Sequence, residues 1–134
     1  MNKEHPNISI LKRFNPANPS TVSEVLAKDF IWHYINPELP EFEGDYIGLS
    51  GLMDFFQKLA GRTSGSFKVN TISATPIGDE IVIAHVKDTM LLDGKPMEID
   101  AIVVWCIMEG EIKEAWDIPI VRTAKMIKPL KEKQ

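Results

Sequence analysis

Asp117 is the residue of this chain best placed to do chemistry. It lies in Ile112–Ile118, where Ile112, Glu114, Trp116 and Ile118 share one strand face and Lys113, Ala115 and Asp117 the other, because side chains alternate along a strand. A carboxylate set among apolar neighbours has its charged form disfavoured, which lifts its pKa toward the range useful for proton transfer. The plain alternative is a strand-end Asp paired with Arg122 or with solvent. His33 is the second candidate, since imidazole exchanges protons near neutral pH. It falls opposite Trp32 and Tyr34 near a strand end, and a hydrogen-bonded core histidine is its ordinary alternative. If Asp117 and His33 converge on one pocket they form an acid–base pair with coupled titrations.

Six further residues make up the expected ligand-contacting set: Trp32, Tyr46, His85, Asp100, Trp105 and Trp116. The aromatic members are read as packing or pocket wall, where such side chains contribute buried area. His85 interrupts the apolar run Ile81–Val86 and Asp100 opens another, so each points either into a pocket or to the far side of a sheet. No metal or cofactor is expected. His5, His33 and His85 share no ligand spacing, and Cys106 is the single cysteine. The absence of a Gly-x-Ser-x-Gly elbow, a P-loop and a dinucleotide fingerprint removes the commonest hydrolase, nucleotidase and Rossmann readings.

Composition narrows the partners. The formal charge of −4 argues against nucleic acid and anionic membranes, which call for a basic surface. The one dense basic run, Lys125–Lys133, is interrupted by Glu132 and reads as a solvated terminus. A lone cysteine precludes an internal disulfide and fits a reducing compartment. The N-terminus lacks the apolar run of a signal peptide, and Ala101–Met108 is too short to span a bilayer. A cytoplasmic location is therefore the expectation.

The elements that must position these groups can be read from periodicity. Ile8, Leu11 and Phe14 give a first short helix within Asn7–Phe14, and Thr21-Val-Ser-Glu24 matches a capping box for a second helix to about Lys28. Phe30–Ile35 is aromatic and β-branched, hence a strand. Asn36–Gly48, with two prolines, two glycines and four acids, reads as a loop forming a mobile rim of the pocket, with Phe42 and Tyr46 as lid contacts. Leu49–Ala60 carries the strongest helical pattern, with Ser50 as N-cap. From Phe67 the period becomes two, with Phe67, Val69, Thr71, Ser73, Thr75 and Ile77 on one face. Strands follow at Ile81–Leu92, Met97–Met108 and Glu111–Ile118, turning at Asp93-Gly94 and, between the apolar segments Ala101–Met108 and Ile112–Ile118, at Glu109-Gly110-Glu111 with Gly110 supplying the turn backbone.

This order predicts one α+β domain over 1–134, with a core at about 5–123 and a basic tail from about 124, its helices packed on a mainly antiparallel sheet. Long strands twist and curl, so a sheet closed by helices leaves a concave pocket. Met97–Met108 is apolar on both faces, which predicts a second layer, most simply a homodimer through the sheet.

Asp29-Phe-Ile-Trp-His33, Gly48-Leu-Ser-Gly-Leu-Met-Asp-Phe-Phe56 and Gly110-Glu-Ile-Lys-Glu-Ala-Trp-Asp117 occur in an order that resembles the nuclear transport factor 2-like superfamily, and within it the SnoaL-like and ketosteroid isomerase-like proteins. The resemblance implies a cone-shaped curved sheet around a deep apolar pocket, commonly in a homodimer. It implies a small, mostly apolar ligand and diverse chemistry, from isomerases, dehydratases, aldol cyclases and epoxide hydrolases to non-catalytic binders. SnoaL-type cyclases place an acid a few residues beyond the tryptophan matching Trp116. Ile118–Val121 contains none, so polyketide cyclisation is not carried over. The expected function is binding of such a molecule, with cofactor-independent acid–base chemistry at Asp117 and His33. The alternative is a binding protein or dimeric interaction module.

Overall fold

A computed structural model of the chain describes residues 4–15 and 17–127. The first two helices are short, α1 over Pro6–Leu11 and α2 over Pro19–Val25. Each carries proline in its first turn, where the missing N–H is one of the helix's free donors in any case. The expected capping box is not formed. Proline starts α2 earlier at Pro19, so Thr21 is already helical and its hydroxyl donates to the Asn18 carbonyl at 2.9 Å. The helix also ends at Val25, short of Lys28, because Leu26 opens the first strand.

That strand, β1 (Leu26–Tyr34), pairs antiparallel with β2 (Gly44–Ile47) and parallel with the last strand, β6 (Glu111–Met126). Between β2 and β6 come α3 (Gly48–Arg62), β3 (Lys68–Ile77), β4 (Ile81–Leu92) and β5 (Lys95–Met108). The sheet order is β2-β1-β6-β5-β4-β3, antiparallel except at β1–β6. The sheet is curved and the helices cover its concave side. Leu52, Phe55 and Leu59 form the buried stripe of α3, at the spacing that puts them on one helix face. They meet Phe30, Trp32 and Tyr34 from β1, and Val82, Ala84, Ala101, Val103 and Trp105 continue the core across the sheet.

Several local expectations change for identifiable reasons. Ser50 does not cap α3, which starts at Gly48 after the extended residue Ile47. Gly51 lies so close to β2 that a Cβ there would sit 3.0 Å from the Tyr46 carbonyl carbon, which ties the start of α3 to that strand. Asn36–Gly48 is not one open loop. Its second half is β2, Phe42 is buried in the core, and the Asn36 N–H donates to Glu43 Oε2 at 3.0 Å. The C-terminal boundary also moves, because residues 124–126 belong to β6, where Lys125 and Met126 pair with Glu98 and Met97. Ile127 follows, its N–H donating to the Pro96 carbonyl at 2.9 Å, and residues 128–134 lie outside the described residues.

Two bulges rearrange the faces. Ile72 is unpaired between Thr71 and Ser73, so Val69 and Thr71 share the concave face with Ala74, and Ser73 turns to the outer side. Lys113 is the extra residue opposite Cys106 and Ile107, so Ile112 falls on the same side as Ala115 and Asp117 and not with Glu114 and Trp116. The hairpin before it forms at the expected place but is tighter, because Glu111 already belongs to β6; Glu109 (φ 55°) and Gly110 (φ 78°) are both left-handed, the conformation a two-residue turn with matching twist requires.

Candidate functional site

Two carboxylates face the cavity between helices and sheet. Asp117 on β6 lies in register with Tyr34 of β1 and Val103 of β5. Asp88 on β4 continues the inward series Val82, Ala84, Val86. Both line a chamber of ≈ 160 Å³ walled by Phe14, Trp32, Phe55, Phe56, Phe67 and Trp105. Both also line a second chamber of ≈ 90 Å³, where Tyr34, Asn36, Arg62 and Thr63 supply polar groups. The pair therefore forms part of the partition between the two spaces.

The electrostatics of this pair follow from desolvation without a counter-ion. Asp88 is only 7% exposed, and its Oδ1 has no hydrogen-bond partner among the described residues. Burial first, and then the negative charge of Asp100, push its carboxyl up to about 7. Asp117 keeps some surface open to the chambers, yet its carboxyl is enclosed by protein. Burial holds it well above the usual carboxylate range, and the charge of Asp88 raises it further. Two such groups in one apolar space cannot both ionise cheaply, so near neutrality the pair holds a proton. Tyr34 lies within reach of the same field. Burial pushes its hydroxyl up to about 12, against the hydrogen bond from Asn36 Nδ2 at 3.0 Å and with the charges of Asp117 and Asp88. It stays neutral and keeps a proton to donate.

His33 does not meet Asp117. It stands opposite Trp116 in the β1–β6 register, so its ring lies on the outer face while Asp117 points inward. There His33 Nδ1 lies 2.7 Å from Asp45 Oδ1 and Nε2 lies 2.5 Å from Glu114 Oε2, and the ring stacks on Trp116 at 5.3 Å. Burial would lower its pKa, but the two carboxylates outweigh that and raise it. His85 and Asp100 also take the outer face, 3.4 Å apart, with Lys87 3.9 Å from Asp100. Tyr46 is on the inner side but beyond the chambers. Its hydroxyl donates to the Phe42 carbonyl at 2.6 Å and its ring packs on Phe55. Trp32, Trp105 and Asp117 are thus the expected residues that line the cavity, and Trp116, His33, His85 and Asp100 do not. Among the described residues no group of three or more His, Cys, Asp or Glu side chains is arranged to hold a metal ion.

Sequence reasoning missed Asp88 and Tyr34. The signal for Asp88 was the alternation Val82, Ala84, Val86, Asp88, but Ile81 and Ile83 make the other parity equally apolar and hid which face was inward.

A family model of the SnoaL-like domain matches residues 9–115. The chain belongs to the SnoaL-like domain family. Solved structures with the same fold include Bal32a from a soil-derived mobile gene cassette, at 21% identity over 89% of this chain and 92% of that one, with a TM-score of 0.77. TerC co-crystallised with polyporic acid is similar at 16% identity over 87% and 93%, TM-score 0.76. An NTF2-like protein of unknown function from Burkholderia pseudomallei is similar at 15% identity over 90% and 98%, TM-score 0.76. At these identities the likenesses establish the fold of the SnoaL-like domain and nothing finer. No curated protein matches the sequence. Among the described residues no helix is long and apolar enough to cross a membrane.

Proposed function

We propose that this SnoaL-like domain is an enzyme that moves a proton on a small, mostly apolar molecule, next to a carbonyl or enol oxygen. The observation that carries this reading is the placement of Asp88 and Asp117, both with raised pKa, on the shared wall of two apolar chambers. Asp88, pushed up to about 7, is matched to taking a proton from carbon near neutral pH. Asp117, raised by burial and by the charge of Asp88, is the member suited to giving a proton, or a hydrogen bond, to the oxygen that gains charge. Tyr34 is a second neutral donor near the pair. Low polarity around these groups strengthens each such interaction. His33 has no role in this step, because it is committed to Asp45 and Glu114 on the far face. TerC, which shares this fold, was co-crystallised with polyporic acid, and that pairing supports a small organic molecule as the ligand proposed for this chain.

The test is α-deuterium exchange of 2-tetralone in D₂O followed by NMR. The parent is expected to exchange it faster than buffer, and Asp88→Asn and Asp117→Asn to lose that acceleration while still binding. Exchange at the buffer rate by all three, with equal binding, would make the domain a ligand carrier. For assembly we propose a homodimer through the outer sheet face, where Ile102 and Val104 are half-buried. A monomer by light scattering at micromolar concentration would remove it.

A further inference from the structure

Strand β1 ends at Tyr34, and the chain leaves it through Asn36-Pro-Glu-Leu39. Asn at the first position and proline at the second are residues that favour a β-turn. The Leu39 N–H donates to the Asn36 carbonyl at 3.0 Å, and the Glu38 N–H donates to Asn36 Oδ1 at 3.0 Å. Any residue with a short side-chain acceptor, Asp or Ser included, would serve this turn as well. The turn thus accounts for the oxygen of the Asn36 amide and leaves its nitrogen unexplained.

That nitrogen donates to Tyr34 Oη at 3.0 Å, with both residues buried. The amide cannot be turned round, because a flip would set its NH2 against the Glu38 N–H, donor against donor. Among the described residues Asn36 is the one hydrogen-bond partner of the Tyr34 hydroxyl. A phenol keeps its hydrogen near the ring plane, on one side of the oxygen or the other, so a donor on one side leaves the hydrogen on the other. Tyr34, Asn36 and Asp117 line the second chamber together. Of the other donors there, Arg62 is paired with Asp93 at 2.8 Å and the Thr63 hydroxyl donates to the Leu59 carbonyl at 2.8 Å.

We propose that Asn36 is a positioning residue: its amide fixes the Tyr34 hydroxyl so that the phenolic proton faces the second chamber beside Asp117, where a carbonyl oxygen of the substrate accepts it. The carbonyl rests on the proton-transfer reading above; the polarity of Tyr34 rests on the hydrogen bonds alone. The apolar frame of the substrate then lies in the first chamber and its oxygen crosses the partition that Asp117 helps to form. Asn is required at position 36 because Asp and Ser would keep the turn and lose the donor. A donor set in place before the substrate arrives costs nothing to orient when the oxygen gains charge.

The test compares 2-tetralone with tetralin, which share a frame and differ in one acceptor oxygen. Binding is read from the fluorescence of Trp32 and Trp105, which line the first chamber. Asn36→Asp keeps the acceptor that the turn uses and replaces the donor by a second acceptor. The Tyr34 hydroxyl then donates to it and offers the chamber a lone pair. 2-Tetralone should bind about two- to tenfold more weakly, the worth of one hydrogen bond, with tetralin unchanged. In a Tyr34→Phe background Asn36→Asp should bring no further loss, which a purely structural role or the added charge would still cause. Should Asn36→Asp not fold, Asn36→Ser suits the same turn without the amide donor and should show the same selective loss. Unchanged binding of 2-tetralone, equal loss of both probes, a loss that persists without the Tyr34 hydroxyl, or absence of 2-tetralone binding by the parent would overturn the proposal. These readouts are affinities, so failure of 2-tetralone exchange leaves them standing, and an unchanged affinity leaves the exchange standing.

Discussion

The two faces of the central strands carry ionisable groups in similar number and treat them in opposite ways. On the inner face Asp88 and Asp117 are enclosed without a counter-ion, and both carboxyls are held far above their ordinary range by desolvation. On the outer face His33 touches two carboxylates and His85, Asp100, Lys87 and Glu98 form a chain of contacts. Each charge there has an opposite charge within ion-pair distance, including Asp100, whose Oδ1 is buried without a hydrogen bond but lies 3.4 Å from His85 Nε2. A group is made reactive by being denied a counter-ion as well as water, and among these groups only the inner-face carboxylates Asp88 and Asp117 lack both.

Turnover breaks the comparison most sharply. In the 2-tetralone exchange assay Asp88→Asn and Asp117→Asn are each expected to lose about 10²–10⁴-fold, the range of a general acid or base. Glu114→Gln and His85→Gln should stay within about twofold, as substitutions away from the site do. Equal losses on both faces would mean that the outer network takes part.

Stability against pH is the next effect. Asp88 has a folded pKa raised from 3.8 to about 7, so the folded chain binds more protons than the unfolded one between these values. Its contribution is fully present below about pH 4 and is lost as pH rises through about 7, a difference on the order of 4 kcal/mol. Asp88→Asn should therefore be more stable than the parent by roughly 1–4 kcal/mol at pH 8, with the gap closing toward pH 4. Denaturant unfolding at both pH values measures this; parallel profiles for parent and variant would contradict it.

The smallest effect concerns His33. Its raised pKa means that its contribution is complete below its unfolded value and is lost as pH rises through the folded one. Both faces thus lose stability with rising pH, the inner because a carboxylate gains an unwelcome charge, the outer because an imidazolium loses a useful one. NMR titration should show the His33 pKa falling in Glu114→Gln and unchanged in Asp117→Asn. A shift in the latter would place the two residues in one network after all.

The sequence by itself determined the α+β class, the long strands β4 and β5, the helix α3 and the places of the two glycine-containing hairpin turns. Each of these is written in a local period or in a turn residue that only a few conformations satisfy. It also put His33 opposite Trp32 and Tyr34, and Asp117 on the side of Ala115, but it set Ile112 opposite Asp117 when the two share a face. What it could not supply was the relation between strands. Parity within a strand is local, but which parity faces the helices depends on register, and one extra residue at Lys113 or Ile72 reverses it. For the same reason Asp88 stayed hidden in a strand apolar on both sides, and His33 was paired with a carboxylate that the β1–β6 register sends to the other face. The partners of a charged side chain, and hence its pKa, were decided only when strands distant in sequence came together.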